Sequence, residues 1–219
     1  MKAKHTSESF LLSAIISLSG GFQDAYTYNL RDNVFANAQT GNIVLMTQHL
    51  LLGDWIKSIH YLFPILAFAI GIVIAEQIGY RYKNSQRIHW RQIILIIEII
   101  ALFIVAFVPS THNTLANFLV SMACAMQVQS FRKVNGYAYA STMCIGNLRS
   151  GMESLSAYLR NRDKNILIKA LHYFGIIFIF AIGAGVGGVF SLYVGNHAIL
   201  ICSVLLVIAV IVMNEKHIG

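Results

Sequence analysis

Apolar runs of helical length alternate with short polar stretches along the whole chain. Eight runs stand out, at about residues 10–28, 34–52, 60–80, 93–108, 114–131, 138–158, 170–193 and 198–213. The third, fourth, seventh and eighth are near-continuous in apolar residues, as expected of helices with no water-facing side, and the first carries Gly20, Gly21, Gln23 and Asp24 in its second half. The second and sixth differ. The second reads FANAQTGN and only then IVLMTQHLLL, and the sixth carries Arg149 and Glu153 in its interior. A mid-membrane arginine costs about 2.5–3.5 kcal/mol on insertion scales. Backbone of that kind survives at membrane depth only where protein or a water-filled cavity surrounds it.

The series of four runs occurs twice. Residues 20–42, GGFQDAYTYNLRDNVFANAQTGN, fall on residues 125–147, AMQVQSFRKVNGYAYASTMCIGN, at an offset of 105. Gly41 and Asn42 land on Gly146 and Asn147, Tyr26 on Phe131 and Asp24 on Gln129. Further on, His60-Tyr61 matches His172-Tyr173 and residues 68–71 (FAIG) match 180–183, both at an offset of 112. Repeat one therefore covers about residues 10–108 and repeat two about 114–213. A seven-residue insertion precedes the third run of the second copy. Gly71, Ala75 and Gly79 correspond to Gly183, Gly187 and Ser191. Four-residue spacing puts each trio on one helix face, where small residues let backbones approach closely. That face serves either packing inside one subunit or a homodimer seam.

Composition places these helices in lipid. The chain has 219 residues, 57% hydrophobic and 11% charged, with mean hydropathy +0.64. Soluble domains carry about 25% charged residues. Each span needs roughly 20 apolar residues, so the chain is one membrane domain, residues 1–219, with no room for a soluble one. The run at 10–28 follows Lys2 and Lys4 without a small-x-small cleavage site, and reads as an uncleaved first helix. The net charge of +7 belongs to loops and calls for no nucleic acid.

Those loop charges set the topology. If the first, third and fourth runs of each half cross and the second does not, one side holds Lys2, Lys4, Arg81, Lys83, Arg87, Arg91, Arg132, Lys133, Arg149, Arg160, Arg162, Lys164, Lys169 and Lys216. Only Arg31 and Lys57, of 16 lysines and arginines, are left for the other. The positive-inside bias then puts both termini in the cytoplasm of a multi-pass cell-membrane protein. The expected fold is all-α: two inverted repeats of three spanning helices, each with one broken or re-entrant helical segment. An odd number of spans per repeat turns the second copy upside down. Transporters recurrently use that plan, with the site at the midplane between the repeats.

The candidate pathway residues are Gln23, Asp24, Thr40, Gly41, Asn42, Gln129, Arg132, Gly146, Asn147 and Arg149. A carboxylate within an apolar helix is costly to bury. Asp24 reads as a proton acceptor, a cation ligand or an anchor for a substrate amine. It reads equally as a structural partner of Arg132 or Arg149, or as a cap for the next segment. Gly-Asn at a helix start allows a tight turn and points free N–H groups inward, or simply caps and packs a broken helix. Arg149 and Glu153 can pair across one turn, and Glu98 is a second buried acid. His60 and His172 would face opposite sides, so no shared metal site is expected. The three cysteines, Cys124, Cys144 and Cys202, lack metal spacing and read as small core residues. No nucleophile elbow, P-loop or metalloprotease motif occurs, so neither enzyme activity nor a cofactor is expected.

Gly21 to Asp24 and Phe35 to Asn42 resemble the YoaK family of bacterial integral membrane proteins, a family without established function. Gln127, Gln129, Arg132, Thr142 and Gly146 resemble its second-half elements, with Ile145 where a second threonine is common. The resemblance implies a multi-spanning inner-membrane protein and no known substrate. From the residues, the expected function is a transporter or channel for a small polar solute or ion. The alternative is a non-transporting membrane module that binds a partner, lipid or signal; an intramembrane enzyme lacks a partner set for its acid.

Overall fold

A computed structural model describes residues 9–83 and 89–214. Among these residues the chain is almost entirely helical: α1 (Phe10–Leu30), α2 (Gln39–Leu51), α3 (Trp55–Tyr82), α4 (Trp90–Phe107), α5 (Asn113–Ser130), α6 (Cys144–Asn161), α7 (Lys164–Val194) and α8 (Leu200–Asn214). A two-stranded antiparallel hairpin, β1 (Lys133–Val134) and β2 (Tyr137–Ala138), precedes α6. Helix starts follow local chemistry. Ser9, Asp54, His89 and Asp163 cap α1, α3, α4 and α7 by accepting from main-chain N–H groups, as short polar side chains do at that position. Gly195 turns the chain from α7 through a short 3-10 stretch into α8 with φ 68°.

Cross-helix contacts give the directions. Gln23 on α1 bonds Glu98 on α4, and Arg31 beyond α1 bonds the Val105 and Val108 carbonyls, so α1 and α4 run together. Gly175, Gly183 and Gly187 of α7 face Phe10, Leu18 and Phe22 of α1 in the same order. Cys124 of α5 meets Gln23 and Asn117 meets Arg31, the reverse order. By the same reasoning α3 runs with α5, through His60–Thr114, Gly71–Met122 and Glu76–Gln129. Helix α8 runs against α1, through Asn196–Tyr26 and Cys202–Ser19. Thus α1, α4 and α7 point one way and α3, α5 and α8 the other. The principal pairings, α1 with α7 and α3 with α5, are joined by α4 with α8.

Among the described residues three helical stretches are long and apolar enough to cross a membrane: Trp55–Tyr82, Trp90–Phe107 and Lys164–Met213, the last containing α7 and α8. Helices α1 and α5 fall short of that measure for a physical reason. They form the middle of the bundle, where Ser13, Ser17, Gln23, Asp24 and Thr27 of α1 and Asn117, Ser121 and Gln127 of α5 are buried among protein. The lipid-type surface lies on the outer helices. Leu66 and Val73 of α3, Phe103 of α4, Phe178 and Val189 of α7 and Val204 of α8 are exposed. An apolar belt of that extent does not face water on a soluble monomer.

Element boundaries depart from the apolar runs in the second position of each half. Helix α2 starts at Gln39, leaving residues 34–38 irregular, and α6 starts at Cys144, after the hairpin. Arg81, Lys83, Arg91, Arg132, Lys133, Arg160, Arg162, Lys164 and Lys169 gather at the end of the bundle where α1 begins. Arg31 and Lys57 lie at the other. Lys2, Lys4, Arg87 and Lys216 lie outside the described residues.

Candidate functional site

The irregular segment after α1 doubles back into the bundle. It leaves at Arg31, yet Asn37 returns to α1: its N–H donates to Asp24 Oδ1 at 2.8 Å and its amide Nδ2 to the Gly20 carbonyl at 3.3 Å. Gly20 lies eleven residues back along α1, about 16 Å at helical rise. Its missing side chain makes room for a second visitor. A Cβ there would overlap the Thr142 methyl group, with Gln127 Nε2 3.8 Å away. Thr142 is the repeat equivalent of Asn37. The two polar excursions of the chain therefore meet at one glycine inside the bundle. Around it Asn37 Oδ1, Thr142 Oγ1 and Gln127 Oε1 are buried without a hydrogen-bond partner among the described residues. Gln127 spends its Nε2 on Ser141 Oγ and the Ile16 carbonyl, at 3.2 and 3.4 Å.

Asp24 is buried here and pairs with neither Arg132 nor Arg149. It accepts from the main chain at Asn37, two residues ahead of the first residue of α2. A second polar knot lies one residue away. Gln23 Nε2 donates to Ser19 Oγ at 3.0 Å and to Glu98 Oε1 at 3.1 Å, and Cys124 Sγ donates to Gln23 Oε1 at 2.8 Å. Glu98 is fully buried, its Oε2 unpartnered among the described residues.

The Gly-Asn pairs do something the sequence only half reveals. Asn42 Oδ1 accepts from Phe35 N at 3.2 Å and its Nδ2 donates to Phe35 O at 2.7 Å. Asn147 repeats this on Ala140 with the same two distances, 3.2 and 2.7 Å. Each asparagine thus clamps the main chain seven residues upstream, folding the excursion back onto its own helix. Asn42 also donates to Gln39 Oε1 at 2.9 Å. Gly41 packs on the Phe35 ring at 3.2 Å; Gly146 has open space where a Cβ would be.

Other expected pathway residues lie away from Gly20. Thr40 is exposed on α2. Arg149 is exposed and pairs with Glu153 at 2.9 Å, one turn on. Gln129 donates to Glu76, and with Arg132 borders a separate cavity of about 640 Å³ at the basic end. The small-residue faces are used within the chain. A Cβ on Gly71 would strike Met122 O of α5, one on Gly183 Leu18 O of α1, and one on Gly187 would lie 2.7 Å from Phe22 Cα. Ala75 and Ser191 are buried beside them, and Gly79 faces the Trp90 ring at 3.4 Å.

Loop charge assigns Arg31 to the end opposite the basic one, and it lies at that end but not in solvent. It is fully buried. Its guanidinium donates to Tyr26 Oη, the Val105 and Val108 carbonyls and Asn113 Oδ1, at 2.8–3.1 Å. It satisfies the last carbonyls of α4, where the helix dipole welcomes positive charge. Its isolation from the other cations was the available signal. Asn37 and Thr142 carried one too, as polar residues at matching positions. His60 lies near Asp32 and Thr114 at one end, and His172 bonds Asn135 at the other.

One family model, described as a protein of unknown function (DUF1275), matches residues 12–212. The chain belongs to that family. No curated protein and no solved structure matches it.

Proposed function

We propose that this member of a family of unknown function carries a small polar solute or ion across the cell membrane, between two inverted repeats that meet at Gly20. The observation that carries the reading is the crossing of Asn37 and Thr142. Two repeat-equivalent polar segments enter the bundle from opposite ends and leave three oxygens unpartnered beside a buried carboxylate. Buried polar atoms are costly unless water or a ligand bonds them. Helix directions support the inverted plan: α1 opposes α5, α3 opposes α7 and α4 opposes α8, and the packing of α1 on α7, α2 on α3 and α1 on α8 corresponds to that of α5 on α3, α6 on α7 and α5 on α4. The basic end then faces the cytoplasm with both termini, six helices cross, and α2 and α6 dip in from opposite sides. The YoaK-type motifs agree with this family setting.

The alternative, a packed membrane module that transports nothing, is favoured by one observation: both Gly-Asn asparagines are spent on main-chain clamps. Proteoliposomes distinguish the two. Shrink–swell light scattering over a panel of small polar solutes and salts should find one that enters faster than through protein-free vesicles. Asp24→Asn and Thr142→Val should slow it. No accelerated solute or ion, or full rate in both variants, overturns the proposal.

A further inference from the structure

The cavity at the basic end is not part of the Gly20 crossing, and its chemistry points elsewhere. It opens where the end of α3, the start of α4 and the end of α5 converge, with a volume of about 640 Å³. That is the size of a pocket for a small ligand. Among the described residues four cations line it, Lys83, Arg91, Arg132 and Lys133, against one carboxylate, Glu76. The Gln129 amide donates to that carboxylate without removing its charge, and the lining keeps a net positive charge because the cations outnumber it. Arg91 is held in place: its Nε donates to Ser130 O at 2.8 Å, and its guanidinium lies over the Trp90 ring at 5.2 Å and the Phe131 ring at 5.9 Å. The positive end of α4 opens here as well. His89 and Gln92 already cap its amides, so it contributes field rather than bonds.

Topology alone puts basic residues at this end, but it does not gather them around a cavity. Arg160 and Arg162 show the contrast: like Lys83, Arg132 and Lys133 they are exposed, but at the end of α6 and just after it they lie outside the pocket lining. We infer that the pocket among Lys83, Arg91, Arg132 and Lys133 binds a phosphate-bearing anion. Arginine forks match phosphate oxygens in pairs, and lysine adds point charge. The pocket sits at the rim of the apolar belt, where α3 passes from exposed Val73 to Tyr80 and Lys83. A lipid phosphate lies at that level of a bilayer, and a soluble phosphate compound reaches it from the aqueous side. The site stands whether or not solute passes at Gly20.

Trp90 borders the pocket, and the chain's other tryptophan, Trp55, is exposed. In the full chain carrying Trp55→Phe, Trp90 fluorescence is titrated with dihexanoyl-phosphatidylglycerol and, separately, with pyrophosphate at constant ionic strength. A saturable change is expected with at least one. Saturation by the lipid alone identifies a headgroup site, and saturation by pyrophosphate alone a soluble-phosphate site. Arg132→Ala with Lys133→Ala should weaken binding about tenfold or more, as loss of charged hydrogen bonds does. Arg132→Lys with Lys133→Arg should retain most of it, which separates lost charge from lost fold. Arg160→Ala with Arg162→Ala should leave it unchanged. No saturable response to either probe, or equal weakening by the Arg160 and Arg162 pair, overturns the inference.

Discussion

Replacing Asn42 or Asn147 by alanine should open the two excursions, and the cost follows from the hydrogen bonds. Asn42→Ala strands the N–H and carbonyl of Phe35, and Asn147→Ala those of Ala140. An orphaned group costs about 1–3 kcal/mol when buried; with two such groups per site, both on half-buried residues, the lower part of the summed range, about 2–4 kcal/mol, is expected at either site. The two should differ in one respect. Asn42 also bonds Gln39, whose repeat equivalent is Cys144, so its loss should exceed that of Asn147 by about 1 kcal/mol. Asparagine to aspartate is the sharper probe. The carboxylate still accepts the N–H but turns an oxygen toward the carbonyl, so Asn→Asp should cost at least as much as Asn→Ala. The assay is equilibrium unfolding of the purified chain in mixed micelles, read by circular dichroism. A loss below about 1 kcal/mol in either alanine variant, or an aspartate that is tolerated, would refute the clamp.

Gly21→Ala and Gly183→Ala should each destabilise by about 1–3 kcal/mol, because a methyl there strikes main-chain atoms of the partner helix, whereas Gly185→Ala, with nothing near it, should be neutral or stabilising in the same unfolding assay. Arg31→Lys should cost several kcal/mol although it keeps the charge, since one ammonium cannot reach Tyr26, Val105, Val108 and Asn113 together; unfolding at the native midpoint would contradict the fork. The Lys57 N–H, and next the Lys57 ammonium, hold the Asp54 carboxyl below its usual range. This cap is therefore fully made above the ordinary carboxylate pKa and is lost as pH falls through the lower folded value. Protection of residues 55–58 against hydrogen exchange, taken relative to the intrinsic rate at each pH, should fall on acidification in the native chain and show no such step in Asp54→Asn.

Much of the architecture was legible because lipid imposes simple rules. Apolar runs of fixed length mark α3, α4, α7 and α8, and the 105-residue offset marks the two Asn clamps, whose hydrogen bonds are 3.2 and 2.7 Å long in both copies. Loop charge anticipated that Arg81 and Arg160 would share one end of the bundle. What stayed hidden depends on side-chain direction. Gln23 and Asp24 are neighbours in sequence but point to different partners, Glu98 and Asn37, because successive helical residues turn away from each other. Gln129 aligns with Asp24, yet faces Glu76 at the basic end. Thr40 and Arg149 stand close to the motifs in sequence and outside the crossing in space. The small-residue stripe, open to a packing or a dimer role, is occupied by α1 and α5 of the same chain.

Passage of a polar solute at Gly20 requires water to reach the crossing, which cysteine accessibility tests most directly. Cys124, Cys144 and Cys202 are replaced by alanine, and single cysteines are placed at Asn37, at Thr142 and, as a dry control, at fully buried Leu102. Each is exposed in proteoliposomes to a small, charged, membrane-impermeant thiosulfonate. Modification at positions 37 and 142, with position 102 inert, is the predicted result. Inertness of both 37 and 142, equal to that of 102, would contradict the account.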